Sequence, residues 1–120
     1  MKNISCIRKE KDQLKIFSYE NALNESASEF ETISKIVGLI GNEVRLKLIW
    51  LINEDSFCVC DLADILQMSV PAISQHLRKM KDVNIITSTK VKQTIFYKIT
   101  EKNKATVNQI LALVSNKIIA

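Results

Sequence analysis

The sequence lacks the features that mark membrane proteins and the common small enzymes. No apolar run approaches the roughly 20 residues needed to cross a bilayer, and charged residues stand near the N-terminus where a signal peptide would have its apolar core. The chain has only two glycines, no glycine-rich phosphate loop, no Cys-x-x-Cys, and no Ser/His/Asp or paired-carboxylate setting. We therefore expect a cytoplasmic protein that is not an enzyme and that needs no organic cofactor.

Cysteine is also scarce, and its pattern argues against a disulfide framework. The three cysteines are an odd number, and two of them, Cys58 and Cys60, stand two positions apart. In a reducing compartment such thiols more often bind metal, react or lie buried. They are therefore candidates for chemistry rather than for cross-linking.

The overall composition indicates one globular domain with a basic surface. Hydrophobic residues make up 47% of the chain, which is enough for a core. At 120 residues the chain is too short for two domains. Lys and Arg total 17 against 13 Asp and Glu, a formal charge of +4. This balance favours a polyanionic partner.

A short helix is predicted just after the paired thiols. Leu62, Ile65 and Leu66 fall at i, i+3 and i+4, which makes one apolar stripe. The helix is expected to run from about Asp61 to about Gln67 and to be followed by a tight turn.

A second helix is predicted to begin at about Val70. Ser69 is a favourable N-cap, and Pro71, the one proline, falls in the first turn, where its missing N–H costs nothing. The apolar positions expected to pack inward are Ile73, Leu77 and Met80. The positions left outward or flanking are Ala72, Ser74, Gln75, His76, Arg78 and Lys79. Because Gln can pair with adenine and Arg or Lys with guanine or phosphate, this face suits a DNA groove; an ordinary helical corner with a solvated basic face is the alternative.

Two more helices are predicted before the thiols. Residues 29–40 carry apolar side chains at helical spacing, and Ser28 with Glu31 resembles a capping box. Residues 44–52 are apolar on nearly every side, so this helix should be the central, buried one, and Trp50 and Phe57 are most simply core residues. Residues 1–20 are highly charged through Asp12 without a sustained period, which predicts a mobile arm or a loosely docked extra helix.

After residue 82 the pattern changes to that of a β-hairpin followed by a helix. Residues 85–89 and 94–99 are rich in β-branched and aromatic residues, and the segment 90–93 between them makes a basic tip without Gly, Asn or Pro. The final helix is predicted over 106–119, with an apolar stripe at Val107, Ile110, Leu111, Val114 and Ile118. This stripe and that of residues 29–40 exceed what one small core can bury, so a symmetric dimer through the terminal helices is expected.

The predicted order of elements is that of a winged helix-turn-helix. The expected fold is mainly α with a small β-hairpin and is homodimeric through its terminal helices. We divide the chain into a mobile N-terminal arm, residues 1–25, and a winged helix-turn-helix DNA-binding and dimerisation domain, residues 26–120.

The segments CVCDLADIL, SVPAISQHLRKM and IFYKIT give the chain a specific resemblance. Over roughly residues 29–120 it resembles the ArsR/SmtB family of metal-responsive bacterial transcriptional repressors. The resemblance implies a homodimer that binds an inverted-repeat DNA operator when metal-free and releases it when metal binds. It also implies DNA contacts from the recognition helix and from the wing tip, which here correspond to Ser74, Gln75, His76, Arg78 and Lys79, and to Lys90, Lys92 and Gln93.

Cys58 and Cys60 are the strongest chemical signal in the chain. Residues two apart on a regular helix point about 200° apart, so both thiolates could reach one ion only with non-helical backbone. The helix N-terminus favours thiolates, and an ion held there would distort the first turn of the helix that supports the recognition helix. The alternative is a pair of buried, small apolar side chains.

The identity of the ion depends on a third ligand. The resemblance implies a further thiol near the pair, but Ala63 stands where one arsenite-sensing pattern has cysteine, which leaves Cys6 as the candidate; an uninvolved thiol on the N-terminal arm is the alternative. Three sulfurs suit As(III), Sb(III) or Pb(II) better than tetrahedral Zn(II), so we expect As(III) or Sb(III), with Cd(II), Pb(II) or Zn(II) as alternatives. A third hypothesis is a DNA-binding regulator whose thiols sense oxidants or reactive sulfur.

The resemblance also raises the question of a second metal site on the last helix and of a role for the single histidine. At the family's second metal site, on the last helix, this chain has Glu101, Asn103 and Asn116 and no histidine, so no second zinc-type site is expected. His76, the one histidine, is interpreted as a DNA-contacting or packing residue rather than a ligand.

Overall fold

The structure is a computed structural model that describes residues 5–114. Over that range the chain forms six helices and a two-stranded antiparallel sheet. In chain order they are α1 (Gln13–Glu25), α2 (Ala27–Ile40), α3 (Glu43–Glu54), α4 (Val59–Leu66), α5 (Val70–Asp82), β1 (Ile86–Val91), β2 (Thr94–Ile99) and α6 (Glu101–Leu111). The predicted winged helix-turn-helix is confirmed. Within residues 5–114 no helix is long and apolar enough to cross a membrane.

The chain divides within α2 into two compact units, Met1–Thr32 and Ile33–Ala120. The first unit contains α1, which begins after an Asp12 side chain that accepts a hydrogen bond from the Lys15 backbone N–H at 3.0 Å. No residue of α1 is buried. Residues 13–25 therefore form a helix, which agrees with the extra helix that was one of the two alternatives predicted for this segment. The mobility of the arm and the boundary at residues 25 and 26 stay predictions.

The second unit is built around α3, as predicted. Leu48 and Ile49 are fully buried, because the apolar sides of α3 meet helices and the sheet at once. The other core residues are Ile36, Ile40, Leu51, Ile52, Leu62, Ala63, Ile73, Leu77, Met80, Ile85, Ile86, Ile99, Val107 and Leu111. Trp50 and Phe57 are partly buried against this core, which confirms their interpretation.

Three predicted helix boundaries are wrong, each for a local reason. Helix α2 begins at Ala27, so Ser28 lies inside it and the proposed capping box does not form. Helix α4 begins at Val59 rather than Asp61, because Cys58 already has the extended backbone of an N-cap. Helix α6 begins at Glu101, since Thr100 is its N-cap and its first turns are polar and carry no apolar stripe.

The predicted end of the last helix is also corrected. Helix α6 ends at Leu111, and Val114, which was placed on the helical stripe, lies beyond it with 41% of its surface exposed. Ile118 and Asn116 lie outside the described residues. Val107 and Leu111 therefore lie in the core, and Ile110 is partly buried against it.

The hairpin is longer and its turn tighter than predicted. β1 pairs with β2 in the register Ile86 opposite Ile99 through Val91 opposite Thr94, which leaves a two-residue turn. The isoleucine pair at the base is buried, whereas the far end is exposed. Lys92 has φ of 57°, a left-handed conformation that two-residue turns favour at their first central position.

Candidate DNA interface and thiol site

The turn between α4 and α5 is fixed by backbone hydrogen bonds. Gln67 takes the left-handed conformation, with φ of 55°. The Met68 N–H then donates to the Ala63 carbonyl at 3.0 Å, and the Gln67 N–H donates to the Asp64 carbonyl at 3.3 Å. This pair of bonds is the Schellman arrangement, which satisfies the last carbonyls of a helix and reverses the chain.

Helix α5 is fixed at both ends. The Ser69 hydroxyl accepts from the Ala72 N–H at 3.2 Å, which confirms the predicted N-cap, and Pro71 lies in the first turn. Its other end repeats the Schellman arrangement, with Asn84 at φ of 61° and the Ile85 N–H donating to the Met80 carbonyl at 3.0 Å. The orientation of α5 is thus set by its own caps as well as by packing.

The inner and outer faces of α5 follow the predicted division. Ile73, Leu77 and Met80 are buried with at most 1% of their surface exposed. The residues left on the other sides are Gln75, Arg78 and Lys79, which are exposed, and Ser74 and His76, which are half-buried. The wing residues Lys90, Lys92 and Gln93 are exposed at the far end of the hairpin. All eight predicted DNA-contacting side chains therefore lie outside the core.

Arg45 contacts His76, a pairing that the sequence did not reveal. The Arg45 Nε–H donates to His76 Nδ1 at 3.2 Å, and the same guanidinium donates through Nη1 to the Leu39 carbonyl at 3.1 Å. Arg45 thereby connects the end of α2, the start of α3 and the middle of α5. The available signal was a cation in a helix that is apolar on nearly every side, since a charge in such a place needs a partner.

The surroundings of His76 favour its neutral form. Partial burial, the Arg45 guanidinium and the Lys79 ammonium, in that order of size, hold the pKa of His76 below its usual value of 6.5. The imidazole is therefore uncharged at neutral pH.

The end of α5 is also connected to α6. The buried Asn103 amide donates to the Asn84 carbonyl at 2.8 Å, and the Thr100 hydroxyl donates to the same carbonyl at 2.7 Å. The Thr100 N–H donates to the Ile85 carbonyl at 3.0 Å. Asn103, where the resembling family would place a metal ligand, thus serves as a structural hydrogen-bond donor.

Cys58 and Cys60 occupy the start of α4 in two different backbone states. Cys58 is the N-cap, with the extended angles φ −83° and ψ 168°, and its thiol makes no capping hydrogen bond. Its carbonyl accepts the first helical bond from the Leu62 N–H at 3.2 Å, while Cys60 lies inside the first turn. Both thiols are free; Cys58 is half-buried and Cys60 is exposed.

The third predicted ligand lies in a different unit of the chain from Cys58 and Cys60. Cys6 is exposed and belongs to the first unit of the chain. Among residues 5–114, no three His, Cys, Asp or Glu side chains are grouped so as to hold a metal ion. The two thiols at α4 fit a thiophilic ion as part of its ligand set, because such ions prefer sulfur ligands. Cys58 has a non-helical backbone, so the two thiols are not forced to point in opposite directions as they would be within a helix.

Comparison with known sequences places the central part of the chain in a defined family. Residues 42–88, from the N-cap of α3 into β1, match the family described as bacterial regulatory protein, arsR family. The cadmium resistance transcriptional regulatory protein CadC of Listeria innocua is 31% identical over 97 residues, which cover 78% of this chain and 75% of that protein. The arsenical resistance operon repressor of Staphylococcus xylosus is 24% identical over 86 residues, covering 72% of this chain and 83% of that protein.

Solved structures show the same fold. Reduced HlyU from Vibrio cholerae superposes with a TM-score of 0.70 at 24% identity and covers 78% of this chain and 100% of that one. The transcriptional repressor BigR from Xylella fastidiosa gives a TM-score of 0.69 at 23% identity, with 84% and 99% covered. These likenesses show the fold. The identity shared with CadC over more than two thirds of both chains, with the matched helix-turn-helix, shows that the chain belongs to the arsR family of bacterial regulatory proteins, whose members are DNA-binding transcriptional regulators and not enzymes.

Proposed function

We propose that this protein is a metal-responsive transcriptional repressor. As a homodimer it binds an inverted-repeat operator through α5 and the wing, and it dissociates when a thiophilic ion binds Cys58 and Cys60. The observation that carries the proposal is the position of two free thiols at the N-cap and first turn of α4, the helix that the turn at Gln67 joins to α5. The names of the relatives, which refer to cadmium and arsenical resistance, support it.

The DNA side of the proposal uses the exposed and half-buried residues of α5. Gln75 and Arg78 have the groups that pair with base edges, and Lys79 suits a phosphate. Ser74 and His76 complete this surface, and Lys90, Lys92 and Gln93 contact the DNA backbone or minor groove from the wing. Their side chains need no rearrangement of the core to reach a groove, because they already lie outside it.

The coupling between the two sites follows from the start of α4. A bound thiophilic ion supplies bonds to thiolate sulfur that are strong enough to reorder a few residues. Cys60 lies in the first helical turn and Cys58 before it, so drawing both thiolates toward one point disturbs that turn and the bond from the Leu62 N–H. Because α4 packs directly against α5, the disturbance reaches the DNA-binding surface. A differential affinity of about 5 kcal/mol is enough to move the bound fraction from almost all to almost none.

We propose As(III) or Sb(III) as the first ions to test, with Cys6 as the third ligand. Three sulfurs per site match their trigonal geometry, and the chain has three cysteines. Cd(II), Pb(II) or Zn(II) form the second group, and the relatedness to cadmium resistance regulators favours testing Cd(II) beside As(III). Exposed, free Cys6 and Cys60 also allow a response to oxidants or reactive sulfur, which is the second candidate function.

The test is operator binding titrated with each ion. A labelled inverted repeat, selected from random sequence by the metal-free protein, is followed by fluorescence anisotropy under reducing conditions with As(III), Sb(III), Cd(II), Pb(II) or Zn(II). We expect one thiophilic ion to release the DNA from the parent protein and not from the Cys58→Ser, Cys60→Ser double variant. Release by peroxide or polysulfide alone would instead support thiol-based sensing. An unchanged metal affinity and stoichiometry in Cys6→Ser would remove Cys6 from the site.

The DNA contacts are tested separately from the ion. Arg78→Ala should weaken operator binding by about 1–3 kcal/mol if it contacts a base, whereas Lys92→Ala should mainly reduce the dependence of binding on salt concentration. Lys47→Ala, an exposed lysine on α3, is the matched loss of charge away from the proposed surface. Equal effects of all three variants would show that only net charge matters.

A further inference from the structure

The hydrogen bond between Arg45 and His76 fixes which nitrogen of the imidazole carries the proton. A guanidinium N–H can only donate, so His76 Nδ1, 3.2 Å from Arg45 Nε, must be the acceptor and must be bare. In a neutral imidazole the proton then resides on Nε2. Arg45 is itself held in place by its second bond, from Nη1 to the Leu39 carbonyl at 3.1 Å.

We propose that Arg45 is a positioning residue that makes His76 a hydrogen-bond donor toward DNA through Nε2. This inference rests on the proposed DNA-binding role of α5. His76 lies between Gln75 and Arg78 on that helix; its ring is half-buried and its Nδ1 is bonded to Arg45, so Nε2 is the nitrogen available to a ligand. A fixed N–H donor selects acceptors, which are phosphate oxygens on the backbone and, in the major groove, N7 of either purine, O6 of guanine and O4 of thymine.

A positively charged His76 would act differently from the donor proposed here. An imidazolium would donate from both nitrogens and could not accept from Arg45, so protonation breaks the hydrogen bond between Arg45 and His76. The cations that face the ring, Arg45 from α3 and Lys79 from α5 itself, both oppose that protonation. At neutral pH the ring therefore keeps one acceptor edge for the protein and one donor edge for the ligand.

The first test reads the proton directly and needs no DNA. Because the chain has one histidine, its two ring nitrogens give an unambiguous pair of 15N signals in a long-range 1H–15N NMR spectrum. We expect a protonated Nε2 and a bare Nδ1 in the parent, and a mixture of the two tautomers in Arg45→Met. Lys47→Met, which removes a charge from the same helix, should keep the parent spectrum. A protonated Nδ1 in the parent overturns the proposal.

The second test asks whether Arg45 acts on DNA binding through His76. Arg45→Met should weaken operator binding by roughly five- to tenfold, the size expected for the loss of one hydrogen bond. In a His76→Ala background the same substitution should cost almost nothing more. An equal loss in both backgrounds would mean that Arg45 acts only through the fold or on the DNA itself, and would overturn the proposal.

A conservative variant separates the donor from the packing role. His76→Gln places an amide N–H close to the position of Nε2, so it should bind the operator better than His76→Asn, whose amide reaches only to the position of Nδ1. Equal binding by these two variants contradicts a donor role for Nε2. If Gln75→Ala and Arg78→Ala also leave binding unchanged, α5 is not the DNA-binding element and the proposed function itself fails, whatever the NMR spectrum shows.

Discussion

Partial burial and two neighbouring cations act in the same direction on His76, and together they decide the sign of its pH dependence. Its pKa is lowered by partial burial first, then by Arg45 and Lys79. The unfolded chain, with a pKa near 6.5, therefore binds the proton more readily than the folded chain. The contribution of His76 to the free energy of unfolding is full above that pH and is lost as the pH falls through the lowered value.

We predict that NMR titration of the single histidine gives a pKa below 6.5 and that either cation variant raises it. Arg45→Met should raise the pKa more than Lys79→Met, because the Arg45 contribution is the larger of the two. Exposed Lys47 on α3 provides the control, and Lys47→Met should leave the pKa unchanged. A pKa above 6.5 in the parent would contradict this account of the ring's surroundings.

Gln67 stores backbone strain at the turn between α4 and α5. A residue with a side chain costs roughly 1–2 kcal/mol in the left-handed region, and glycine avoids this cost. Glycine also lowers the free energy of unfolding by about 0.5–1 kcal/mol, because it gives the unfolded chain more conformational freedom. We predict that Gln67→Gly raises the free energy of unfolding by about 0.5–1 kcal/mol, measured by urea denaturation. Asn84→Gly is the matched control at the end of α5 and should gain less, because asparagine tolerates this conformation. A loss of stability in Gln67→Gly would show that the glutamine side chain makes a stabilising contact.

At the scale of elements, α4 begins with a residue that is a poor cap. Ser69 caps α5 with its hydroxyl, but Cys58, in the same position on α4, makes no side-chain capping bond. A thiol is a weak acceptor, so the first N–H groups of α4 lack the partner that serine or aspartate would supply. The helix proposed to respond to the ion is thus also one whose first turn is weakly held.

We predict that Cys58→Ser stabilises the protein by about 0.5–1.5 kcal/mol while abolishing the ion response. Cys60→Ser is the matched control: it should abolish the response equally but change the free energy of unfolding by less than about 0.5 kcal/mol, since Cys60 is exposed inside the helix. Thermal or urea unfolding gives the first quantity and the operator titration gives the second. If Cys58→Ser is less stable than the parent, the half-buried thiol contributes packing that outweighs the missing cap.

Sequence patterns predicted the helix-turn-helix well because its signals are local. Ser69, Pro71 and the stripe of Ile73, Leu77 and Met80 lie within one segment and specify the start and inner face of α5. The first five residues of α6 were missed because Asn103, polar yet buried, is held by the distant Asn84 carbonyl. The turn type of the wing could not be predicted. Lys92 takes a left-handed conformation that glycine or asparagine usually occupies, and neither residue is present in this turn.

At the scale of the molecule, several apolar side chains of the second unit remain exposed. On α2 they are Ile33 and Val37, with 46% and 50% of their surface exposed, and after α6 they are Leu113 and Val114, with 87% and 41%. Exposed apolar groups on α2 and just after α6 support the expected homodimer, since a symmetric partner would cover them.

We predict that Val37→Glu weakens self-association, which sedimentation velocity would detect as a shift toward monomer over a concentration series. Operator binding should weaken with it, because an inverted repeat requires two linked copies of α5. Ile65→Glu is the matched control, since Ile65 is exposed to 48% on α4, outside α2 and α6. A parent protein that is monomeric at every concentration would contradict the proposed dimer.

The sequence by itself determined the order of elements, the N-cap of α5, the central place of α3 and the family, because these depend on periodicity and on neighbours a few residues apart. The tertiary structure decided the contacts that join distant segments: Arg45 with His76, 31 positions along the chain, and Asn103 with Asn84. Nothing in local spacing encodes such pairs, since each partner satisfies a polar group that only folding brings near. The spacing of Cys58 and Cys60 was visible in the sequence. That Cys58 is an extended N-cap while Cys60 lies in the first helical turn was decided by where α4 begins.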